Sequence, residues 1–404
     1  MLKSVRIMLA IAAFYDYEIW QMDVKTALLN GYLKEELYMM QPKGFVDPKG
    51  ANKVCKLQRS IYGLVQASRS WNIRFDSVIK AYGFIHTFGE VGIYKKVSRS
   101  SVAFLILYVD NILLVRNDTE FLNSIKGYLN KNFSMKDLGE AAYILGIKIY
   151  RDRSRSLIGL SQSTYLDKVL KKFKMDQAKR GFLPVLQGVK LSQTQCPTTA
   201  EGREKMQVIP YASAIGSIMY AMLCTRPDVC LSISLAGRYQ SNPGVAHWTA
   251  VKSILKYQKR TKDMFLIYEG DKELVANGYV DASFDTDPDD SKSQIGYVFL
   301  LNCGAVSWCS SKQSVVGGSM CEAEYIAASE AANEGVWMKE FISDLGVIPS
   351  ASGPMKIICD NTGAIALAKE SRFHKRTKHI KRHFNSICDQ FKEGDIEICK
   401  IHQI

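Results

Sequence analysis

EIWQMDVKTALLNG (residues 18–31) and AFLILYVDNILLV (residues 103–115) decide how this chain is read. In the first stretch Trp20, Met22 and Val24 alternate with polar neighbours, as on a strand with one buried face. Asp23 then projects from the opposite face, near the end of that strand. The second stretch reads as two apolar strands joined at Val109-Asp110-Asn111, a tight hairpin with Asp110 at its turn. Each feature has an ordinary alternative: Asp-Asn is a common turn dipeptide, and a lone Asp at a strand end is usually solvated. If the hairpin lies beside the first strand, however, Asp23 and Asp110 converge. Two converging carboxylates are what metal-assisted phosphoryl transfer requires. They hold two Mg²⁺ ions roughly 3.5–4 Å apart, one activating the attacking hydroxyl and one the leaving group.

The rest of the composition suits such chemistry without proving it. A chain of 404 residues is long enough for two or three domains, and 47% hydrophobic residues against 23% charged is a globular balance. The net charge of +13 favours a polyanionic partner, because Lys and Arg neutralise phosphates and release counterions. The ten cysteines are scattered without a CxxC pair, which points to free thiols in a reducing compartment and against a zinc module. MLKSVRIMLAIAAF (residues 1–14) places Val5, Met8, Leu9, Ala12 and Ala13 at helical spacing, so a packed helix is expected there rather than a signal peptide. The apolar run from residue 104 to 115 is interrupted by Asp110 and Asn111 and is not a membrane span.

Three regions are expected. Residues 1–150 mix amphipathic helices with apolar strands. Residues 151–270 are mostly helical in pattern and include the basic stretch DKVLKKFKM (residues 167–175). Within them, residues 183–208 carry Gln, Pro, Ser and Thr and read as a loop or linker. Residues 271–404 return to alternating strands and helices. There, NGYVDASFDTD (residues 277–287) sets Val280, Ala282 and Phe284 on one strand face and Asp281 on the other. SQIGYVFLLNCGAVSWCSSKQ (residues 293–313) reads as two strands around a turn at Asn302-Cys303-Gly304. CEAEYIAASEAANEGVWMKEFISDLG (residues 321–346) is a long helix with Tyr325, Ala328, Ala332, Val336 and Phe341 as its apolar stripe and Glu324 in its first turns. MKIICDNTGAIALAK (residues 355–369) is a strand, Asp360, then a helix.

QMDVKTALLNG, ELYMMQPKGF, VCKLQRSIYGLVQASRSW and LYVDN follow one another in the order seen in copia-type reverse transcriptases, and the resemblance runs over nearly the whole chain. It implies an α+β fold: a reverse transcriptase palm with partial fingers over residues 1–150, a helical thumb or connection over 151–270, and an RNase H-like α/β domain over 271–404. Asp23 and Asp110 match the palm's catalytic aspartates. Leu28 and Gln66 match positions that line the incoming nucleotide. Lys168, Lys171 and Lys172 would lie near template–primer phosphates. Asp281, Glu324 and Asp360 match the RNase H carboxylates, which bind two metal ions and cut the RNA strand of a hybrid. Glu322, two residues from Glu324, would point elsewhere on the helix. FHKRTKHIKRHF (residues 373–384) resembles the family's RTKHI segment and offers Lys375, Arg376, Lys378, Lys381 and Arg382 for phosphate contact. His379 and His383 share a helical spacing but have no nearby Cys or carboxylate to complete a metal site.

The resemblance implies Mg²⁺ (or Mn²⁺), two ions per active site. The implied partners are an RNA template, a DNA primer, an RNA–DNA hybrid and deoxynucleoside triphosphates, with no membrane. A cytoplasmic or particle-associated location, with some nuclear presence, would follow. The chain also departs from the family pattern. Asn111 stands where a second hairpin aspartate is usual and is expected to supply an amide oxygen to the metal. Leu28 replaces a usual Phe, and Val65 a usual Lys. The triphosphate-gripping fingers strand is expected before residue 1, and a fourth RNase H carboxylate beyond KIHQI (residues 400–404). These departures predict an impaired polymerase, or a remnant that holds nucleic acid without chemistry.

Overall fold

The computed structural model describes residues 1–98, 101–185, 188, 190–270, 274–348, 353–369 and 386–401. It forms two compact units, Tyr17–Ala141 on the one hand and Met1–Asp16 with Ala142–Ile404 on the other. Helices and sheets alternate in both, so the fold is α+β. This division differs from the boundaries at 150 and 270. The reason begins with α1 (Leu2–Phe14), whose residues from Ser4 to Ala13 are all buried. A helix apolar all round belongs in a core rather than on a surface.

The unit Tyr17–Ala141 contains β1 (Glu18–Val24), β2 (Tyr38–Met40), β3 (Val54–Lys56), α2 (Ala67–Ala81), β4 (Ile85–Thr87), β5 (Glu90–Ser98), β6 (Ser101–Tyr108), β7 (Asn111–Arg116), α3 (Thr119–Asn132) and β8 (Met135–Glu140). Six strands form one antiparallel sheet in the order β4-β5-β6-β7-β1-β8, and β2 and β3 make a separate hairpin. α2 and α3 cover one face. Trp71, Phe75 and Ile79 from α2 and Leu122, Ile125 and Leu129 from α3 pack on Met22, Val24, Leu105, Leu107, Ile112 and Leu114. The apolar run from residue 104 to 115 is two paired strands, β6 and β7, joined at their turn.

The other unit continues with β9 (Tyr143–Ile144), β10 (Ile147–Asp152), β11 (Leu157–Ser161), α4 (Ser163–Lys172), α5 (Ala200–Gln207), α6 (Tyr211–Thr225), α7 (Cys230–Gly237), α8 (Val245–Thr261) and β12 (Leu266–Glu269). It closes with β13 (Ala276–Ser283), β14 (Gln294–Leu301), β15 (Gly304–Lys312), α9 (Met320–Leu345), β16 (Met355–Cys359), α10 (Thr362–Lys369), α11 (Ser386–Lys392) and β17 (Ile396–Lys400). Helices α4, α6, α7 and α8 share a core built from Val169, Leu170, Ile215, Ile218, Ile233, Val251, Ile254 and Leu255. The expected linker at 183–208 is not all loop. Thr199 Oγ1 accepts from Gly202 N–H and caps α5, a start that its polar composition concealed.

Five strands make a mixed sheet, β15-β14-β13-β16-β17, with β13, β16 and β17 parallel. The turn between β14 and β15 is Asn302-Cys303, both residues with positive φ, as a tight two-residue hairpin of this hand requires. α9 lies across β13, β14 and β16, while α1 and α7 lie against β15. Buried Arg6 of α1 donates to the carbonyl of Val306 (2.8 Å) and stacks on Trp308, both in β15. Asn302 Nδ2 donates to the Ala10 carbonyl (2.9 Å). The first helix of the chain is thereby part of the same core as its last sheet. Among the described residues no single helix is long and apolar enough to cross a membrane.

Candidate active sites

The first cluster forms where β1 meets the β6–β7 hairpin. Asp23 is the register partner of Asn111 on one side and of Lys136 on the other. The hairpin turn is Val109-Asp110, and Val109 has φ 56°, a conformation that a β-branched residue rarely adopts. Two hydrogen bonds hold the turn in place. Trp71 Nε1 donates to the Val109 carbonyl (2.6 Å), and Val24 N–H donates to the Asp110 carbonyl (2.8 Å). Burial raises the Asp23 carboxyl above its ordinary range; the Asp110 charge adds to this and Lys136 opposes it. The two aspartates are therefore within electrostatic reach.

Asn111 does more than replace a charge. Its Nδ2 donates to Asp110 Oδ1 (3.0 Å), and its Oδ1 accepts from Gln21 Nε2 (3.0 Å). The amide thus occupies one oxygen of the Asp110 carboxylate. Leu28 sits half-buried in the short 3-10 turn Ala27–Asn30, and Gln66 at the start of α2, where its side chain makes no capping bond. Ser60, fully buried, anchors the Leu28 turn: its N–H donates to the Gly31 carbonyl (2.9 Å) and its hydroxyl to that of Leu28.

Trp71, Gln21 and Lys136 were not anticipated from the sequence. Trp71 closes the motif VCKLQRSIYGLVQASRSW, but nothing in a linear pattern shows that an indole N–H will meet a turn carbonyl. Replacing Trp71 by Phe keeps an aromatic ring near Phe75 and Phe133 but removes that donor, and the void left by the smaller buried ring adds to the cost. Loss of a buried hydrogen bond of this kind is expected to cost about 1 kcal/mol. Urea denaturation of the parent and Trp71→Phe chains checks this, and equal midpoints would show that the turn needs no such anchor.

The second cluster lies at one edge of the mixed sheet. β13 and β16 run parallel with Tyr279 beside Ile358, so two residues further along each strand come Asp281 and Asp360. Both are exposed. Glu324 reaches them from α9 and is only 3% exposed. Gly335 lets α9 lie close to Met355, Ile357 and Phe299, and Gly278 on β13 makes room for the Phe299 ring, from which a Cβ there would stand 2.5 Å. Glu324 Oε1 accepts from Ala282 N–H (3.1 Å), while its buried Oε2 has no hydrogen-bond partner. Ligand atoms of Glu324, Cys359 and Asp360 all lie within 4.8 Å of one another. Cys359, the last residue of β16, was not singled out in the sequence. Glu322 is separate, accepting from Gly318 N–H ahead of the helix. Asp287 is also engaged elsewhere, in ion pairs with Arg238 and Lys312. An open groove of about 460 Å³ runs from Asp281 and Asp360 past Tyr279, Tyr297 and Trp308.

Burial pushes the Glu324 carboxyl up to about 7 from 4.5; the Ala282 N–H opposes the rise, and the charges of Asp281 and Asp360 add to it. A carboxyl raised in the folded state stabilises the fold fully below about pH 4.5, and that contribution is lost as pH rises through about 7. The full swing is of the order of 3 kcal/mol. In EDTA, Glu324→Gln is expected to flatten this part of the stability curve and to exceed the parent in stability at pH 8. Parallel pH profiles of the two chains would refute the assignment.

The basic candidates divide into two groups. Lys168, Lys171 and Lys172 are exposed on α4, with Lys172 Nζ donating to Ser213 Oγ (2.8 Å). Lys375, Arg376, Lys378, Lys381 and Arg382, with His379 and His383, lie outside the described residues.

Residues 1–187 match the family model described as reverse transcriptase (RNA-dependent DNA polymerase). The chain is 42% identical over 401 residues to the retrovirus-related Pol polyprotein from transposon TNT 1-94 of Nicotiana tabacum, covering 99% of this chain and 30% of that protein. It is 33% identical to the corresponding polyprotein from transposon RE2 of Arabidopsis thaliana, covering 98% of this chain and 27% of that one. A transposon Ty5-1 protein of Saccharomyces cerevisiae is 32% identical and is matched over 100% of its own length, by 78% of this chain. The chain belongs to the copia-type reverse transcriptases. This copia-type chain spans less than a third of the two plant polyproteins, so it corresponds to one portion of a Pol polyprotein.

Proposed function

We propose that this chain is an RNA-directed DNA polymerase with ribonuclease H activity, the polymerase step being weakened at Asn111. The convergence of Asp281 and Asp360 at the ends of adjacent parallel strands, with buried Glu324 facing them, carries the reading. A buried carboxylate oxygen without a partner is costly unless a cation or proton satisfies it, so the donor set fits a divalent ion. Residues 17–141 would be palm with the β2–β3 hairpin as partial fingers. Helices α4 to α8 would be thumb or connection, and β13 to β17 the RNase H-like portion.

Asp23, Asp110 and the Asn111 amide oxygen would hold ions in the first site, and Asp281, Glu324 and Asp360 in the second. Bound Mg²⁺ or Mn²⁺, two ions per site, would activate the attacking oxygen and stabilise the leaving one. Leu28 and Gln66 would flank the incoming deoxynucleoside triphosphate. Lys168, Lys171 and Lys172, with the cations of 375–382, would neutralise phosphates of the template, primer or hybrid. Burial of Glu324 favours its protonated form, so an ion binding there would displace a proton.

The alternative, binding without chemistry, is favoured by the Asn111–Asp110 hydrogen bond. Primer extension on an RNA template by the full chain, with Asp23→Asn as control, separates the two. Extension that Asp23→Asn abolishes supports the polymerase; binding with no extension selects the remnant. On either reading a hybrid should bind with salt-sensitive affinity, each neutralised phosphate contributing roughly −0.9 to the slope of log K against log salt. Charge reversal at Lys168, Lys171 and Lys172 should weaken binding equally across sequences. Affinity independent of salt would remove the polyanion reading.

A further inference from the structure

We propose that Glu324, Cys359 and Asp360 bind a thiophilic divalent cation of the Zn²⁺ class, with Cys359 as the ligand that Mg²⁺ cannot use. The inference rests on this cluster being an ion site, as proposed above, and not on cleavage. Three observations support it. The sulfur of Cys359 and one carboxylate oxygen each from Glu324 and Asp360 lie within 4.8 Å of one another. Donors around one ion sit about 2.0–2.3 Å from it, so only a small adjustment brings all three onto a single centre. Glu324 is 3% exposed and its buried Oε2 has no hydrogen-bond partner, so this carboxyl of the cluster keeps one oxygen unsatisfied. Cys359 is 1% exposed at the end of β16, held by the sheet rather than by a mobile loop.

The donor types set the preference. Mg²⁺ takes oxygen ligands in octahedral geometry and gains little from sulfur. Zn²⁺ and Cd²⁺ favour thiolate and accept one sulfur with two carboxylates, leaving a fourth position for water. On binding, the Cys359 S–H bond breaks, the sulfur lone pair forms the S–metal bond, and the proton leaves to solvent. A proton on Glu324 leaves likewise. Such an ion would occupy carboxylates that the cleavage reading assigns to Mg²⁺, so low levels of it should inhibit any Mg²⁺-dependent step there.

Cd²⁺ is a suitable probe, since its bond to thiolate gives an ultraviolet charge-transfer band. The full chain is titrated with Cd²⁺ alongside Cys359→Ser, Cys321→Ser, Glu324→Gln and Asp360→Asn, and melting is followed with and without the ion. In the parent, one equivalent should give the band and raise the melting temperature. Cys359→Ser should lose both responses at that equivalent, while Cys321→Ser keeps them. Glu324→Gln and Asp360→Asn should keep a thiolate band but weaken Cd²⁺ binding on the order of tenfold or more. The same band and melting shift in Cys359→Ser would overturn the proposal. If Cys359→Ser fails to fold in the absence of metal, the two carboxylate variants decide, and undiminished affinity in both overturns it. Hybrid cleavage with Mg²⁺ is measured on the same samples. Cleavage without the Cd²⁺ site rejects this inference alone, and a Cd²⁺ site without cleavage rejects the nuclease reading alone.

Discussion

Asn111→Asp is expected to raise Mg²⁺-dependent primer extension by about a hundredfold or more, the scale of one preorganised electrostatic group in a site. Asn111 is the register partner of Asp23 and follows Asp110, so a carboxylate there would join both. The substitution also removes the amide donor that now occupies Asp110 Oδ1, freeing that oxygen for a cation. Gln21 Nε2 could still donate to the new side chain and hold its orientation. The gain carries a cost. Without metal, three carboxylates would crowd one strand end, and the ion-free Asn111→Asp chain should be less stable by about 1 kcal/mol. Mg²⁺ should restore that loss in the variant and do less for the parent. Steady-state extension on an RNA template, with Asp23→Asn added to each background, makes the comparison. Unchanged extension in Asn111→Asp, alongside a parent that Asp23→Asn silences, would show that the amide already serves as well as a carboxylate.

Asp281→Asn is expected to reduce cleavage of the RNA strand of a hybrid by about a thousandfold or more, since a lost metal carboxylate costs several kcal/mol of transition-state stabilisation. The side chain is exposed near the end of β13 and Asn has the same shape as Asp, so the change should leave folding intact. Asp360→Asn, on the neighbouring strand, should match it. Glu324→Gln should also lower cleavage and in addition change its pH dependence, because it alone of the three is buried. The full chain is the right material, since α1 and α7 lie against β15 and residues 271–404 alone would lack both. Cleavage that survives Asp281→Asn under both Mg²⁺ and Mn²⁺ would place the chemistry elsewhere or in a contaminant.

Much of the local structure was legible in linear pattern. Alternation of period two located β1 and β13, and with them the faces that carry Asp23 and Asp281, while two apolar runs joined at a turn located β6 and β7. The long apolar stripe of α9 placed Glu324 on a helix, and a spacing of two residues separated it from Glu322. The segment 183–208 was misread because polar composition describes a loop and a capped helix equally well; Thr199 was the available signal. Val109 was illegible in principle, since a β-branched residue argues against a positive φ. That conformation persists because Trp71 and Val24 hold the two turn carbonyls.

The sequence by itself determined that Asp23, Asp110 and Asp360 stand at the ends or turns of strands, that Asp281 stands on a strand face and Glu324 on a helix, that the first residues form an apolar helix, and that an Asn follows Asp110 in the hairpin. The tertiary structure decided what those elements meet. α1 packs on the last sheet because hydrophobic periodicity records that a surface is buried without recording against what. Asn111 became a hydrogen-bond donor to Asp110, and Cys359 a neighbour of Glu324 and Asp360, through strand pairing and helix packing over long sequence separations. Those contacts depend on register and distance in space, and neither is written in the order of residues along one strand.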